Sequence, residues 1–403
     1  MTAPLPTWLT LPSHHEWLDR DFASVMAFNL ASILPEGGFA WLGADGQPLP
    51  GKRPQLFLTA RMTHVAAMAV ARGIPGSGEL LDHGIDSILS IHRDAEYGGW
   101  FTEPGTPTRK QAYDHVHVGL AASSARRVGH PRAMQLWDAA VAGIDHFWDD
   151  STRTLRESFA RDWSDEEDYR GANANMHGVE AFLAMGDASG ERVWHERAYA
   201  MADRLINGAA RELDWFLPEH FTTQWVPVPA YNRDEPNHPF RPYGATPGHL
   251  LEWSRFVADL HASPAAPDEP WLLESAIALS RKALDDLWAV DGLPGLVYTT
   301  DFAGMPVSTL RLHWPVCEAI QASATLYAVT GDEHWARWYE RAFDHAARYF
   351  IDERRTWINE LDESMAPGEI VWPGRPDVYH CGGALTAALQ PIWPTPSALL
   401  RVG

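Results

Sequence analysis

The stretch VGLAASSA at residues 118–125 contains only small, apolar and hydroxylated side chains, which is typical of a helix buried on every side. The stretch WARWYERAF at residues 335–343 instead mixes charged residues with apolar ones at helical spacing, which is typical of a helix with one face in solvent. Segments of these two kinds alternate along the whole chain, about twelve in all. Short aromatic, turn-rich stretches such as GGWFTE at residues 98–103 precede the buried segments and predict short strands or hairpins.

This unit of outer helix, aromatic hairpin and inner helix recurs about six times, and each unit is expected to pack on its neighbours. We therefore predict an all-α fold, an (α/α)6 barrel (toroid) of six helical hairpins, with short β-hairpins at the mouth where the inner helices begin. An open solenoid is the alternative. No linker divides the chain, so residues 1–403 are expected to form one catalytic domain. The helical segments are expected to begin near His15, Gln55, Ser77, Lys110, Pro131, Asn173, Glu191, Gly248, Pro270, Leu312, Asp332 and Asp377.

The composition narrows the class of protein and its partners. Hydrophobic residues are 45% and charged residues 21% of the 403 residues, and the formal net charge is -21. A strongly acidic chain disfavours nucleic acid and anionic membrane surfaces as partners. The only two cysteines, Cys317 and Cys381, are too few for a disulfide framework, and residues 1–6 lack the pattern of a signal peptide. We expect a cytoplasmic protein with a small neutral substrate; the sequence leaves a homo-oligomer possible.

Three stretches each place a histidine near the start of an apolar helical segment. They are NANMHGVE at residues 173–180, TPGHLLEW at residues 246–253 and DVYH at residues 377–380. If these helix starts converge, three groups that exchange protons near neutral pH share one site. The pattern indicates proton-transfer chemistry.

The neighbours of two histidines suggest how each is used. His249 and Glu252 lie three positions apart, hence on one helix face, and a carboxylate beside an imidazole orients it; a buried histidine with a structural carboxylate is the alternative. His380 follows Asp377, a plausible helix cap. The glycines at 382–383 would allow close approach by a ligand or by a neighbouring helix.

Further polar and aromatic residues have binding roles to weigh against structural ones. Asn173 and His177 lie on one helix face and look like a hydroxyl-binding set, although Asn173 could equally cap the helix. Arg61 stands alone in an apolar segment and needs a partner or a ligand. Trp314 could form the floor of a sugar site or simply fill the core.

No metal or nucleotide motif is present. His115 and His117 are two positions apart, so on a helix they point in different directions and should not share an ion. The chain has no H-E-x-x-H, no cysteine pair of zinc-site spacing and no glycine-rich phosphate loop. We therefore predict catalysis without a metal or other cofactor.

The chain resembles the N-acylglucosamine 2-epimerase superfamily, and in particular its aldose–ketose isomerase branch, over nearly its whole length. The motifs that carry the resemblance are TARMTHV at 59–65, NANMH at 173–177, RPYGATPGHLLEW at 241–253, RLHW at 311–314 and DVYH at 377–380. The resemblance implies a metal-independent (α/α)6 barrel that acts on free sugars, with His249 and His380 as the acid/base pair. It places these residues around the sugar: Arg61, Asn173, His177, Glu252 and Trp314, with Tyr113 as a looser match.

The resulting expectation is an isomerase that interconverts D-mannose and D-fructose through a cis-enediol, with two histidines sharing the proton transfers. The closest alternative is an isomerase of the anionic sugar sulfoquinovose, which Arg61, Arg241 and Arg311 could favour and Glu360 could oppose. A sugar 2-epimerase is a third possibility.

Two other classes remain open from sequence. A glycosidase of the same fold would need two carboxylates across the bond, for which Glu252 and Glu318 are candidates. A sugar-binding protein without turnover would need no acid/base pair.

Overall fold

The computed structural model describes residues 7–390, so the expectation for residues 1–6 lies outside it. Within this range twelve α-helices form two concentric layers. The inner helices are α2 (Leu56–Ala71), α4 (Ala112–Arg127), α6 (Ala172–Ser189), α8 (Pro247–Ala262), α10 (His313–Thr330) and α12 (Tyr379–Thr386). The outer helices are α1 (Pro12–Asn29), α3 (Ser77–Leu89), α5 (Ala133–Asp145), α7 (Arg192–Ala202), α9 (Pro270–Arg281) and α11 (Glu333–Tyr349). The predicted (α/α)6 architecture is confirmed.

The composition of each helix explains its layer. Every residue of α2 from Leu56 to Ala69 is buried, as expected for an apolar helix enclosed by neighbours. Helix α11 buries one stripe, which includes Trp335, Tyr339 and Ala342, while its charged face is in solvent. π-Helical turns continue α7 over Asp203–Ala210 and α9 over Lys282–Asp286.

The inner helices form a closed ring. Each contacts the next in chain order, and α12 contacts both α10 and α2. The outer helix α1 packs on α12, so the first and last of the described helices form the sixth pair. The other pairs join each inner helix to the outer helix that follows it. This closure excludes the open solenoid.

Short antiparallel strands surround the mouth. They are β1 (Lys110–Gln111), β2 (Trp148–Asp149), β3 (Thr154–Leu155), β4 (Ser158–Phe159), β5 (Arg170–Gly171), β6 (His220–Phe221), β7 (Thr299–Thr300), β8 (Pro306–Ser308), β9 (Arg311–Leu312) and β10 (Glu360–Leu361). Strands β2 and β3 form a local hairpin, as do β7 and β8. The pairs β1–β4, β5–β6 and β9–β10 instead join segments of successive units. These pairs tie neighbouring helix starts together, a role that local hairpins could not perform.

The ring places polar side chains from five helices at one level. The sixth residues of α2, α4, α6, α8 and α10 are Arg61, His117, His177, Glu252 and Glu318. His313, His249 and His380 are the first, third and second residues of their helices, nearer the mouth. Within residues 7–390, no helix is long and apolar enough to cross a membrane.

Candidate active site

A cavity of about 570 Å³, including solvent at its opening, lies where the inner helices begin. All eight residues that the sequence singled out as catalytic or substrate-binding line it. They are Arg61, Tyr113, Asn173, His177, His249, Glu252, Trp314 and His380. The closed ring therefore brings together residues that are more than 300 positions apart in the sequence.

His249 is oriented by a carboxylate that sequence reasoning did not assign to it. Its Nδ1 lies 2.8 Å from Oε1 of Glu219, a residue directly before β6. The predicted pairing of His249 with Glu252 is therefore wrong, because Glu252 lies closest to another imidazole, 3.9 Å from Nε2 of His177. With Nδ1 occupied, Nε2 of His249 is left for the cavity.

His380 is held by a second carboxylate, in a denser network. Its Nδ1 lies 2.8 Å from Oε1 of Glu318. The same carboxylate accepts hydrogen bonds from Nε2 of Gln321 at 2.6 Å and Nε of Arg255 at 3.2 Å. Burial lowers the pKa of His380 well below its usual value, so the imidazole is neutral at neutral pH. Its Nδ1–H then donates to Glu318, and Nε2 is free to accept a proton.

Trp314 stands between the two histidines. Its ring centroid is 5.1 Å from that of His249 and 5.8 Å from that of His380. Gly248 allows this placement, since a Cβ there would lie 2.3 Å from the indole. Trp314 lines the cavity and is therefore more than a core aromatic.

The glycines at 382–383 serve helix packing. A Cβ at Gly382 would lie 3.0 Å from Val65, and one at Gly383 would lie 2.3 Å from Oε1 of Gln321. They allow the short helix α12 to approach its neighbours closely, which is the second of the two alternatives that the sequence left open.

Arg61 is the centre of a charged cluster. Its guanidinium donates to the Tyr113 hydroxyl at 2.9 Å and to Nε2 of His117 at 3.0 Å, and lies 3.4 Å from Oδ2 of Asp377. That oxygen is also 3.6 Å from Nε2 of His380. Burial disfavours the charge of Asp377, but the Arg61 guanidinium and the Tyr379 backbone N–H oppose this effect, and its pKa stays below the usual value. Asp377 also accepts the Tyr379 backbone N–H at 2.9 Å, but the N-cap of α12 is Val378, so the prediction that Asp377 is the N-cap is wrong by one residue.

Four buried groups that line the cavity have polar atoms without a hydrogen-bond partner among the described residues. They are Oδ1 of Asn173, Oε1 of Glu252, Nε2 of His313, and both amide atoms of Asn359. Buried polar atoms are almost always paired. Polar atoms that face an open cavity can bind water or the hydroxyl groups of a ligand. For Asn173, this argues for the binding role over the capping role.

The surroundings of Glu252 favour its protonated form. Burial raises its pKa well above the usual value, and the nearby charge of Glu318 adds to the effect. In its protonated form this carboxyl can donate a hydrogen bond to a sugar oxygen as well as accept one.

The arginines suggested for an anionic substrate are engaged elsewhere. Arg311 pairs with Asp291 at 2.6 Å and Arg241 with Glu167 at 2.8 Å; neither lines the cavity. Glu360 does not line it either. Its carboxylate accepts backbone N–H groups of the 370–372 segment, so it shapes the mouth and does not repel a substrate there.

One group of side chains within residues 7–390 has the spacing of a metal site. Possible ligand atoms of Glu252, Glu318 and His380 lie within 4.8 Å of one another. Both oxygens of Glu318 already accept hydrogen bonds from Arg255 and Gln321, and a divalent ion would have to displace or face the guanidinium. His115 and His117 lie on α4 with separate partners, the Trp100 backbone N–H and Arg61 respectively.

Several residues of the site carry no recognisable signal in the sequence. Glu219, Phe240, Tyr298 and Trp372 lie outside the helices, and Glu219 alone contacts a proposed catalytic group directly. The stretch WFLPE at residues 215–219 reads as an aromatic turn. Only the order of helices around the ring reveals that its carboxylate reaches α8.

Comparison with known proteins agrees with this geometry. The sequence model for N-acylglucosamine 2-epimerase (GlcNAc 2-epimerase) matches residues 37–384, and the chain belongs to this family. A D-mannose isomerase of Thermobifida fusca is 47% identical over 98% of this chain and 99% of the relative. A D-mannose isomerase of Pseudomonas cannabina pv. alisalensis is 44% identical over 98% of this chain and 96% of the relative.

Solved structures share the fold. A crystal structure of D-mannose isomerase superposes with a TM-score of 0.85 at 27% identity, covering 94% of this chain and 99% of that one. Cellobiose 2-epimerase from Bacillus thermoamylovorans gives a TM-score of 0.81 at 17% identity, over 94% of this chain and 100% of that one. A glycoside hydrolase family 76 mannosidase gives 0.62 at 13% identity, over 92% and 97%. The last two are similar in fold alone.

Proposed function

We propose that the protein is an aldose–ketose isomerase that interconverts D-mannose and D-fructose. Two relatives at 47% and 44% identity are D-mannose isomerases and match nearly the whole chain. The family model and the crystal structure of a D-mannose isomerase point to the same class of enzyme.

The observation that carries the proposal is the pair of carboxylate-oriented histidines at a cavity with unpaired polar atoms. His249 and His380 each have Nδ1 bound to a glutamate. Both line the cavity together with the unpaired oxygens of Asn173 and Glu252. A monosaccharide supplies the hydroxyl groups that these atoms lack, and two imidazoles supply the proton transfers.

The reaction divides between the two histidines according to their surroundings. His380, kept neutral by burial, suits the base that removes the C2 proton and returns it to C1 on one face of a planar enediol. His249 suits proton transfer at the sugar oxygens, first in ring opening and then between O1 and O2. Arg61 stabilises negative charge on the enediolate oxygen, and the starts of the inner helices add positive potential at the mouth.

The charges around the cavity favour a neutral sugar over sulfoquinovose. Among the described residues that line it, Arg61 is the one arginine, and Asp377 balances its charge. Arg241 and Arg311 have acidic partners outside this cavity. The cavity therefore offers a sulfonate group no arginine that lacks an acidic partner.

The carboxylates do not suit glycoside hydrolysis. Glu318 does not line the cavity, and its oxygens are taken by Arg255 and Gln321. The two candidate glutamates therefore cannot lie on opposite sides of a glycosidic bond.

The remaining parts of the proposal concern the setting of the reaction. We assign the activity to residues 1–403 as one catalytic domain that uses neither a metal nor an organic cofactor. We place the enzyme in the cytoplasm, where the buried free thiols of Cys317 and Cys381 would stay reduced. Its partner is a monosaccharide; a nucleic acid or a membrane is not expected.

The test is isotope exchange followed by product NMR. With mannose in deuterium oxide, fructose should be the main product, with deuterium at C1 diluted by direct transfer from C2. His380→Ala, purified identically, should give neither product nor exchange. Parallel reactions contain glucose, fructose or a sulfonated sugar.

Each product pattern has a distinct meaning. Glucose that accumulates ahead of fructose would identify a 2-epimerase. Preferred turnover of the sulfonated sugar would identify the anionic substrate. Cleavage of glycosides without interconversion of free sugars would overturn the proposal.

A further inference from the structure

A second chamber lies on the barrel axis beyond the active site. It encloses about 860 Å³ including solvent at its opening, and its lining comes from the later turns of the inner helices. Polar residues that line it include His64, Glu180, Arg255, Asp259, Gln321 and Tyr379. None of them lines the mouth cavity.

Arg255 stands in the partition between the chamber and the active site. It is the ninth residue of α8, one turn below Glu252, and is 9% exposed. Its Nε donates to Oε2 of Glu318 at 3.2 Å, and its Nη2 lies 3.8 Å from Oε1 of Glu180. One guanidinium therefore bridges the buried carboxylate of Glu318 and the partly buried carboxylate of Glu180, which come from two other helices.

Each of these carboxylates holds a histidine of the active site. Glu318 binds Nδ1 of His380 at 2.8 Å. Glu180 lies 3.4 Å from Nδ1 of His177 and accepts the Tyr379 hydroxyl. Both histidines are thus connected to the same cation through one intermediate group.

We propose that Arg255 is a positioning residue of the isomerase, which fixes His380 through Glu318 and His177 through Glu180 from the far side of the barrel. The inference rests on the proposed function of His380. Arg255 touches no substrate; it keeps the carboxylate of Glu318 ionised and in place, and so selects the tautomer of His380.

The tautomer is the link to catalysis. An ionised Glu318 accepts the Nδ1 proton of His380 and leaves Nε2 as a base. A protonated Glu318 would itself donate to Nδ1, so the ring proton would occupy Nε2 and the base would be lost. When the carboxylate that orients a catalytic histidine no longer fixes its tautomer, kcat falls strongly.

The charges around Glu318 make Arg255 decisive. Burial raises the pKa of Glu318 to about 7 although Arg255 and Arg61 lower it. The titratable and charged groups that face it are Arg255, Glu252 and Asp259 from α8, Glu180 from α6, Arg61 from α2, His313 and Cys317 from α10, and Tyr379 and His380 from α12. Among the causes that lower the pKa of Glu318, Arg255 is the largest, so its loss should raise that pKa further.

The primary experiment compares Arg255→Met with the parent enzyme as a function of pH. We expect kcat at pH 7 to fall about 10- to 100-fold with KM for mannose changed less than about threefold, since Arg255 does not touch the sugar. The acid limb of the kcat profile should move up by about one pH unit or more. Arg255→Lys keeps the positive charge and should recover part of kcat. Recovery should be incomplete, because an ammonium group cannot span both carboxylates as the guanidinium does.

Chemical rescue is the second experiment, for use if Arg255→Met unfolds or loses activity for structural reasons. It tests whether a guanidinium group supplied from solution can replace the missing side chain. Arg255→Ala leaves a space beside the chamber, which is open to solvent. Ethylguanidinium below denaturing concentrations should restore kcat in a saturable manner, whereas urea, similar in shape but uncharged, should not. Thr325 lines the same chamber but takes no part in these contacts, so Thr325→Val is the control. Its kcat should equal that of the parent enzyme and should not respond to ethylguanidinium.

The outcomes separate the inference from the proposed function. If His380→Ala is inactive while Arg255→Met and Arg255→Ala keep a normal kcat and an unshifted acid limb, the positioning role of Arg255 is refuted and the proposed function stands. A pH-independent loss of kcat without guanidinium rescue would also refute it, and would leave Arg255 a structural residue. If the parent enzyme does not isomerise mannose, the proposed function itself fails.

Discussion

The two histidine–glutamate pairs have the same hydrogen-bond length and opposite surroundings. His249 and Glu219 are 2.8 Å apart, as are His380 and Glu318. Glu219 comes from the chain before β6 and lines a neighbouring chamber that opens beside the mouth. Glu318 is fully buried in an inner helix, where Arg255 and Gln321 also bind it.

The difference shows that similar local geometry can carry different energetic consequences. Among the described residues, the Glu219 carboxylate hydrogen-bonds to His249 alone, and it faces the adjoining open chamber, so its main effect is on the tautomer of His249. Glu318 belongs to a buried network of charges, in which removal of one member leaves another uncompensated. The first pair is a local orienting device, and the second is part of the barrel's interior.

The largest expected effect is the loss of either histidine. His380→Ala and His249→Ala should each lower kcat at least about a hundredfold, the contribution of one general acid–base group. Both side chains are buried (4% and 8% exposed), so the thermal stability of each variant should be measured together with its kcat. Near-parent turnover in a folded variant would remove that histidine from the mechanism.

The next test separates the two glutamates. Glu318→Gln should lower kcat and also destabilise the fold by about 3 kcal/mol, because Arg255 loses its buried counter-charge. Glu219→Gln should lower kcat with a change in unfolding free energy within about 1 kcal/mol. Urea unfolding measures the stability of each variant and steady-state kinetics measures its kcat. Equal destabilisation by the two variants would contradict the difference between the two histidine–glutamate pairs.

The pH dependence of the parent enzyme follows from Glu318. Burial raises the pKa of this carboxyl to about 7, and its ionised form is the one that leaves His380 a base. Turnover at saturating mannose should therefore rise as pH increases through about 7 and fall as the carboxyl is protonated below it. A kcat that is level from pH 5 to 8 would contradict this assignment.

A smaller effect is expected from Gly248→Ala. The added Cβ would lie 2.3 Å from the Trp314 ring, so overpacking should cost about 1–3 kcal/mol of stability and displace the indole between the histidines. Gly78→Ala in α3 is the matched control: a Cβ there meets nothing within 4 Å, and stability should be unchanged or higher. If the two variants have equal stability and KM, the indole is not confined as described.

The smallest expected effect is that of metal removal. Glu252, Glu318 and His380 have suitable spacing for an ion, but Arg255 already compensates Glu318. Exhaustive EDTA treatment should leave turnover unchanged, and elemental analysis should find no divalent ion in stoichiometric amount. Activity that disappears and returns with one particular metal would refute the metal-free mechanism.

The sequence by itself determined the alternation of helices and the residues at their starts. Period and composition predict two layers because a helix apolar on all sides must be enclosed, while one with a charged face must lie outside. The expected segment starts fall within a few residues of the observed helices, as for Ser77 and Pro270, which begin α3 and α9. The eight proposed site residues were also named from the sequence, chiefly through the motifs of the family resemblance, and they line one cavity.

Only the tertiary structure decided which charges meet. Glu252 shares a helix face with His249, yet the carboxylate on that histidine comes from residue 219, and the network behind His380 joins α6, α8, α10 and α12. Spacing along one helix reports neighbours on that helix, whereas these contacts depend on how far each helix is rotated and shifted in the ring. Those quantities are set by packing across the closed barrel, through contacts such as Gly248 on Trp314 and Gly383 on Gln321, and no local pattern encodes them.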